Sequence, residues 1–206
     1  AQDLIRSIEP ERSPPSPPSG KAMSQKLRIA IVSVPEGSWS SLAARLEAAG
    51  AEVHAIPADA TSIELPAGWV PDGLVTIPAE HQRARFDQLD LDRWDETASH
   101  ELDTRFRIGQ AVARRMLEAD GGSIVHLVAA EGLPGLVEAG SAASLGYAVA
   151  GLSRGIALDL RDKVRSNTIL ADPDAASLDA VAALIVYLCG GDQRDINGLV
   201  TGGSSA

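Results

Sequence analysis

The fold is decided by residues 121–170, which open with the run Gly121-Gly-Ser-Ile-Val-His-Leu127 and close with Val164-Arg-Ser-Asn-Thr168. Both runs are short and rich in apolar and β-branched residues, which is typical of buried strands. Between them, small and apolar residues recur with helical spacing over Ser141–Leu160. A strand, a helix and a second strand in this order predict a βα unit of a parallel sheet.

The same alternation continues on both sides of this unit. The predicted strands are Lys26–Val34, Glu52–Ile56, Gly73–Ile77, Ser123–Val128, Val164–Leu170 and Gly198–Thr201, and the predicted helices are Ser40–Ala49, Arg93–Ala119, Ser141–Leu160 and Leu178–Cys189. Gly50 is expected to cap the first helix. The segment Pro57–Asp72 has room for at most a short strand at Ser62–Leu65, so one βα unit is predicted to be trimmed. The pattern favours an α/β fold with a Rossmann-like, doubly wound parallel sheet flanked by helices.

Composition narrows the class of protein. The chain has 206 residues, a formal net charge of −10 and a single cysteine, Cys189. An acidic chain repels phosphate backbones and anionic membranes, so we expect neither as a partner. The lone cysteine and the lack of a long apolar run favour a cytoplasmic location.

Residues 1–22 are rich in proline and are interpreted as a disordered leader or cloning remnant, and residues 23–206 as one domain.

Residues 121–170 resemble the central half of the short-chain dehydrogenase/reductase family. The similar segments include Gly151-Leu-Ser-Arg154 and Ile156-Ala-Leu-Asp-Leu160, and Ile196-Asn-Gly198 followed by Gly202-Gly203 is similar to the family's closing segment. The resemblance covers most of the chain after Met23. The resemblance implies that this chain has a shortened version of the family's fold, in which the cofactor loop is degraded and the substrate lid is missing.

The resemblance also implies where the catalytic side chains should stand. The family uses a tyrosine acid/base, a lysine four residues later that lowers the pKa of the phenol, a serine that binds the substrate and an asparagine in a proton relay. Counted from Gly151, these positions fall at Ala142, Gly146, Ala129 and Glu101. None of the four carries the family's side chain. We therefore expect no catalytic residue at these positions and a chain that is not an enzyme by itself.

The cofactor turn departs from the family as well. The family's glycine-rich turn lets the backbone approach a pyrophosphate at a helix N-terminus. This chain has Ser33-Val-Pro-Glu-Gly-Ser-Trp-Ser40 there, in which only Gly37 remains. Glu36 adds a negative charge and Trp39 a bulky ring, and the acid expected after the second strand falls at Pro57. We expect no dinucleotide in this chain.

The helices through which members of the family associate are retained in this chain. Helices Trp94–Ala119 and Ser141–Leu160 are expected to form an interface that uses Phe106, Met116, Tyr147 and small residues around Ala150. We expect a non-catalytic structural or regulatory subunit that joins an active, NAD-binding short-chain dehydrogenase in a heteromeric complex, expected to be a heterotetramer. A candidate class is the dehydrogenases of acyl-CoA alcohols in aromatic hydrocarbon breakdown.

Other functions remain open at this point. One is a nucleotide- or ligand-binding sensor on the same scaffold, and another is an enzyme with relocated catalytic groups such as Ser141, Ser144 or Tyr147. The histidines have no spacing that suits a metal, and each is expected to be a surface or hydrogen-bonded residue: His54, His81, His100 and His126. The acidic run Asp87–Glu96 is expected to be a solvated loop and helix start.

Overall fold

One parallel sheet organises the computed structural model, which describes residues 26–33, 39–60, 63–133, 136–191, 193 and 195–202. Its strands are β1 Arg28–Ser33, β2 Glu52–Pro57, β3 Gly73–Thr76, β4 Gly122–Ala129, β5 Val164–Ala171 and β6 Val200–Gly202. Across the sheet they follow the order β2-β1-β3-β4-β5-β6, and each neighbouring pair is parallel. The predicted doubly wound α/β fold is confirmed.

Helices cover both faces of the sheet. They are α1 Leu42–Ala48, α2 Leu91–Ala98, α3 Arg105–Glu118, α4 Gly140–Asp159 and α5 Ala175–Cys189. Gly50 ends α1 with φ +92°, where its N–H donates to Glu47 O and the N–H of Ala51 donates to Leu46 O. This is the glycine cap that the sequence predicted. None of the helices in the described ranges is long and apolar enough to cross a membrane.

The core has two layers because the sheet is buried on both faces. Ile29 and Ile31 of β1 pack on one face with α1 and α5, whereas Ala30 and Val32 pack on the other face with α3. The side chains of a strand alternate between its faces, so one strand supplies both layers. Because both faces of the sheet are buried, its strands are almost continuously apolar in the sequence.

The trimmed unit lies between β2 and β3. No helix forms over residues 63–72, and Ile63, Leu65 and Trp69 pack directly against the α3 side of the core. The short strand expected at Ser62–Leu65 is wrong for Ile63–Leu65, and Ser62 lies outside the described residues. These apolar side chains fill the place where a crossover helix would otherwise cover the sheet.

The long helix expected over Arg93–Ala119 is interrupted. A π-helical turn, Ser99–Thr104, separates α2 from α3. On α3, Gly109, Val112, Ala113 and Met116 are buried, whereas Phe106 is 55% exposed at the edge of the buried stripe, about 100° around the helix from the buried Arg105. The exposure of Phe106 is compatible with its expected place at an interface.

Candidate functional site

A cavity of about 330 Å³ opens at the carboxyl edge of the sheet. The strand order reverses between β1 and β3, and ligands of open α/β sheets bind outside the carboxyl ends of strands at such a point. Ala129 at the end of β4 and Ala171 at the end of β5 line the cavity, together with Trp39 just before α1. The topology therefore places a cavity where ligands of open α/β sheets bind.

Charged side chains line the same cavity. They are Glu80, Arg83, Glu131 and Asp172, accompanied by His81. Nη1 of Arg83 donates to Oε2 of Glu131 at 2.9 Å, so this guanidinium is already paired. Among the described lining residues, three carboxylates face one guanidinium, which gives the cavity a negative potential.

Glu101 holds the segment that follows β3. Its Oε1 accepts a hydrogen bond from the backbone N–H of Ala79 and lies 3.7 Å from Nε2 of His81. The His81 side chain is only 6% exposed, and its Nδ1 has no hydrogen-bond partner among the described residues. An unpaired buried polar atom is costly, which marks His81 as a group with unused bonding capacity beside a cavity.

A buried polar network extends from Glu101 into the sheet. Nε of Arg105 donates to Oε2 of Glu101 at 2.9 Å, and Nη1 donates to Oγ1 of Thr76. The Thr76 hydroxyl is in turn hydrogen-bonded to Nδ1 of His126 at 2.8 Å. The network therefore connects the middle of β4 to the wall of the cavity through β3 and the π-helical turn.

Both histidines of this region are held neutral. Burial, aided by the positive charge of the Arg105 guanidinium, lowers the pKa of His126 to about 3. Burial also lowers the pKa of His81; Glu101 opposes this shift, Arg105 adds to it, and Glu131 again opposes it. A neutral imidazole carries one N–H donor and one acceptor nitrogen, so His81 can accept a hydrogen bond at neutral pH.

The four positions that the family resemblance assigned to catalysis do not all meet in the cavity. Ala129 lines it, and Glu101 lies behind it at the ring of His81. Ala142 and Gly146 are buried on α4 under the turn Ala130–Leu133, which packs against that helix. Two of the four positions are thus covered by the chain itself.

The cofactor positions are described in part. Ser33 ends β1, whereas Glu36 and Gly37 lie outside the described residues. Trp39 is buried in the core beside α1, and Pro57 ends β2 in an exposed position. The described lining does not fit a pyrophosphate, because its carboxylates outnumber its one, already paired, guanidinium.

Sequence reasoning missed part of this site. His81, expected at the surface or in a hydrogen bond, is enclosed, and its Nδ1 has no partner among the described residues. The hydrogen bond expected for His126 is confirmed by its contact with Thr76, whereas Arg105 received no role. The spacing of Glu101 and Arg105, four residues apart on a helix, was the available signal for the ion pair. No group of three His, Cys, Asp or Glu residues within the described ranges has the geometry of a metal site.

The helices expected to associate expose only part of the predicted interface, because Phe106 and Tyr147 are exposed but Met116 and Ala150 are not. Tyr147 is 62% exposed on α4, and its hydroxyl donates to Leu133 O at 3.1 Å. Met116 and Ala150 are buried in the core, so their assignment to an interface is wrong. The reason is helical periodicity: Ala150 shares the inward face of α4 with Gly146 and Ala142, whereas Gly151 faces outward.

The chain is similar to one curated dehydrogenase over about half its length. No family model matches it. The D-threitol dehydrogenase of Mycolicibacterium smegmatis is 33% identical over 119 residues, which are 54% of this chain and 46% of the relative. The match therefore spans less than half of the relative's own length.

Solved structures match nearly the whole chain. Acetoin dehydrogenase from Enterobacter cloacae has a TM-score of 0.68 at 20% identity over 85% of this chain and 93% of its own. A double mutant of a Serratia marcescens short-chain dehydrogenase/reductase has 0.68 at 21% identity, over 86% and 95%. A short-chain dehydrogenase from Shigella flexneri, complexed with NADP, has 0.71 at 16% identity, over 86% and 97%.

These comparisons correct one prediction. The chain was expected not to be an enzyme by itself, but the relative and the structures that it resembles are named dehydrogenases, which points to an enzyme. The expected membership of the short-chain dehydrogenase/reductase family is supported by both kinds of match. The chain has the oxidoreductase-like fold of the short-chain dehydrogenases/reductases, and about half of it resembles one of them in sequence.

Proposed function

We propose that this chain is a short-chain dehydrogenase/reductase that acts as a subunit of an oxidoreductase, assembled with a second, NAD-binding chain of the same fold. The observation that carries the proposal is an exposed apolar face on α3 and α4. Phe106 lies on α3, and Tyr147 and Leu158 lie on α4, each more than half exposed. Large apolar groups on helices of one sheet face mark an interaction surface.

Small residues accompany these side chains. Ala148, Gly151 and Gly155 are exposed on α4, and a Cβ at either glycine would meet nothing within 4 Å. Packing inside the chain therefore does not require glycine there. A groove of small residues lets a partner helix approach closely, which supports helix-to-helix association at this face.

Charge favours a different chain over a second copy. Arg107 and Arg114 on α3 and Arg154 on α4 are exposed on the same side of the sheet and outnumber the exposed acids of these helices, Glu118 and Asp159. A two-fold pairing of identical chains would bring both sets of guanidinium groups into one interface, where like charges repel. A partner with acidic residues on the matching helices avoids this cost.

We assign NAD to the partner chain, because the described lining of this chain's cavity does not fit a pyrophosphate. The substrate class in this proposal is an alcohol. One version is an acyl-CoA alcohol such as phenyl(hydroxy)methyl-succinyl-CoA of anaerobic toluene breakdown, and the D-threitol relative supports a polyol as the alternative.

The test is assembly with a candidate NAD-binding short-chain dehydrogenase chain. The two chains are co-expressed and examined by native mass spectrometry and NAD-dependent alcohol oxidation. Gly151→Arg should abolish a mixed complex, because a charge at the centre of an interface of about 2,000 Å² is costly. The matched control Ala67→Arg, in an exposed turn on another part of the surface, should assemble normally. A monomer, a homo-oligomer only, or a mixed complex indifferent to Gly151→Arg would contradict the proposal.

A further inference from the structure

We propose that Arg107, Arg114 and Arg154 select the partner of the exposed side of α3 and α4 around Tyr147 and Gly151, the α3–α4 face. They prevent two copies of this chain from pairing there, and they fit a different chain that presents carboxylates. This role rests on the proposed function, because it concerns the same face. It specifies which side chains discriminate between a second copy and another chain, and which charge the partner presents.

The three guanidinium groups have no carboxylate partner among the described residues of their own chain. Arg114 and Arg154 form no hydrogen bond or ion pair there, and Nε of Arg107 reaches only the backbone carbonyl of Asp103, at 3.4 Å. Other arginines are each in an ion pair within the chain: Arg28, Arg45, Arg83, Arg85 and Arg105. The α3–α4 face therefore carries positive charge that is open to a partner, on a chain whose net charge is −10.

Helical geometry places these charges beside the exposed apolar groups. At about 100° per residue, Tyr147, Arg154 and Leu158 lie within about 40° of one another around the axis of α4. Arg107 and Arg114 are seven residues apart and lie within about 20° of each other on α3. A helix that packs on Tyr147 and Leu158 therefore also removes water from the guanidinium of Arg154.

A second copy offers these charges poor partners. Each copy brings three exposed guanidinium groups to the α3–α4 face but only two exposed acids, Glu118 and Asp159. Removing water from a guanidinium without supplying a carboxylate is costly, and like charges across an interface repel. The charges of the face therefore oppose self-pairing, although its apolar side chains favour burial.

A partner with carboxylates opposite the arginines gains charge-assisted hydrogen bonds instead, and a guanidinium can form two of them with one carboxylate. Salt screens both the attraction and the repulsion, with a Debye length of about 10 Å at 0.1 M. The proposed role therefore requires opposite salt dependences. Added salt should weaken the mixed complex but strengthen self-pairing.

The first experiment is sedimentation velocity on the full-length chain alone at about 0.1 mM. We expect the parent to be monomeric at low salt and Arg114→Gln/Arg154→Gln to self-associate at least ~10-fold more tightly. Adding Gly151→Arg should abolish this self-association, because it places a charge at the centre of the face. The matched control Lys26→Gln/Arg45→Gln removes the same charge just before β1 and from α1, on the opposite face of the sheet, and should behave like the parent.

Three results of this experiment would overturn the proposal. They are a neutralised variant that stays monomeric, self-association that survives Gly151→Arg, and a parent that already pairs through the α3–α4 face at low salt. Thermal unfolding of each variant verifies that the fold is retained.

The second experiment uses the mixed complex with the candidate NAD-binding chain. Arg107→Glu/Arg114→Glu/Arg154→Glu should weaken this complex about 10-fold or more at low salt, and the parent complex should weaken as salt is raised. An unchanged affinity in the charge-reversed variant would contradict the proposed role of the arginines but leave heteromeric assembly intact. If no mixed complex forms, the proposed function fails, whereas self-association of the neutralised chain still decides whether the arginines prevent self-pairing.

Discussion

Arg105 and Glu101 form an ion pair inside the protein, with Nε and Nη2 of the guanidinium 2.9 and 2.7 Å from Oε2 of the carboxylate. Both side chains are only 2% exposed. The pair joins the π-helical turn to α3 and, through the N–H of Ala79 and the hydroxyl of Thr76, fixes the end of β3. The segment that carries His81 is positioned by this pair.

Removing one partner of this pair should destabilise the fold. Glu101→Gln leaves the Arg105 charge buried without compensation, which costs about 3–5 kcal/mol of the free energy of unfolding. Urea denaturation followed by circular dichroism measures the loss. The neighbouring, exposed Asp103→Asn should change stability by less than about 0.5 kcal/mol. A loss below about 1 kcal/mol in Glu101→Gln would mean that water reaches the pair in solution.

The free energy of unfolding should decrease as the pH is lowered from about 6.5 to 3, because His126 is kept neutral in the folded protein. Its pKa is lowered to about 3 in the folded protein, whereas the unfolded chain binds the proton near 6.5. Between these values the unfolded state holds more protons, so stability rises with pH from about 3 to 6.5 and this contribution is then complete. The difference is on the order of 4–5 kcal/mol.

The variant His126→Gln isolates that contribution. The slope of unfolding free energy against pH between about 4 and 6 should drop by roughly one proton, or about 1.4 kcal/mol per pH unit. Ser123→Ala, a buried position on the same strand without a titrating group, controls for altered packing. An unchanged slope in His126→Gln would show that the imidazole is not the group that titrates.

Gly73 should tolerate no side chain while Cys189 is present. A Cβ at Gly73 of β3 would overlap with Sγ of Cys189, which closes α5 against the sheet. Gly73→Ala is expected to cost about 1–3 kcal/mol through overpacking. Cys189→Ala should relieve most of this cost, so the double variant should be more stable than the sum of the two single changes predicts. Strict additivity would contradict the contact.

An arginine should destabilise the fold at Ala150 of α4 but not at the adjacent Gly151. Ala150→Arg buries a guanidinium in the core and should lower the melting temperature or prevent folding. Gly151→Arg points to solvent, where nothing lies within 4 Å of its Cβ, and should leave thermal unfolding nearly unchanged. Its effect should appear only in partner assembly. Thermal scans of both variants suffice, and equal destabilisation would show that the face of α4 is misassigned.

The order of strands and helices could be predicted from the sequence because its signals are local. Apolar runs mark β4 and β5, helical spacing marks α4, and Gly50 marks the end of α1, where a left-handed backbone conformation favours glycine. Each of these signals depends only on residues a few positions apart, so it can be recognised without knowing how the rest of the chain folds.

Only the tertiary structure decided which side chains meet. Arg105 is buried because α3 and the π-helical turn pack on β3, where its guanidinium meets Glu101 and Thr76, and the spacing of apolar residues does not reveal this contact. His81, Glu131 and Asp172 follow three different strands and share a cavity only because the parallel sheet brings its carboxyl ends together. The burial that keeps His126 and His81 neutral depends in the same way on distant segments packing over them, since desolvation is a property of the whole fold and not of the local sequence.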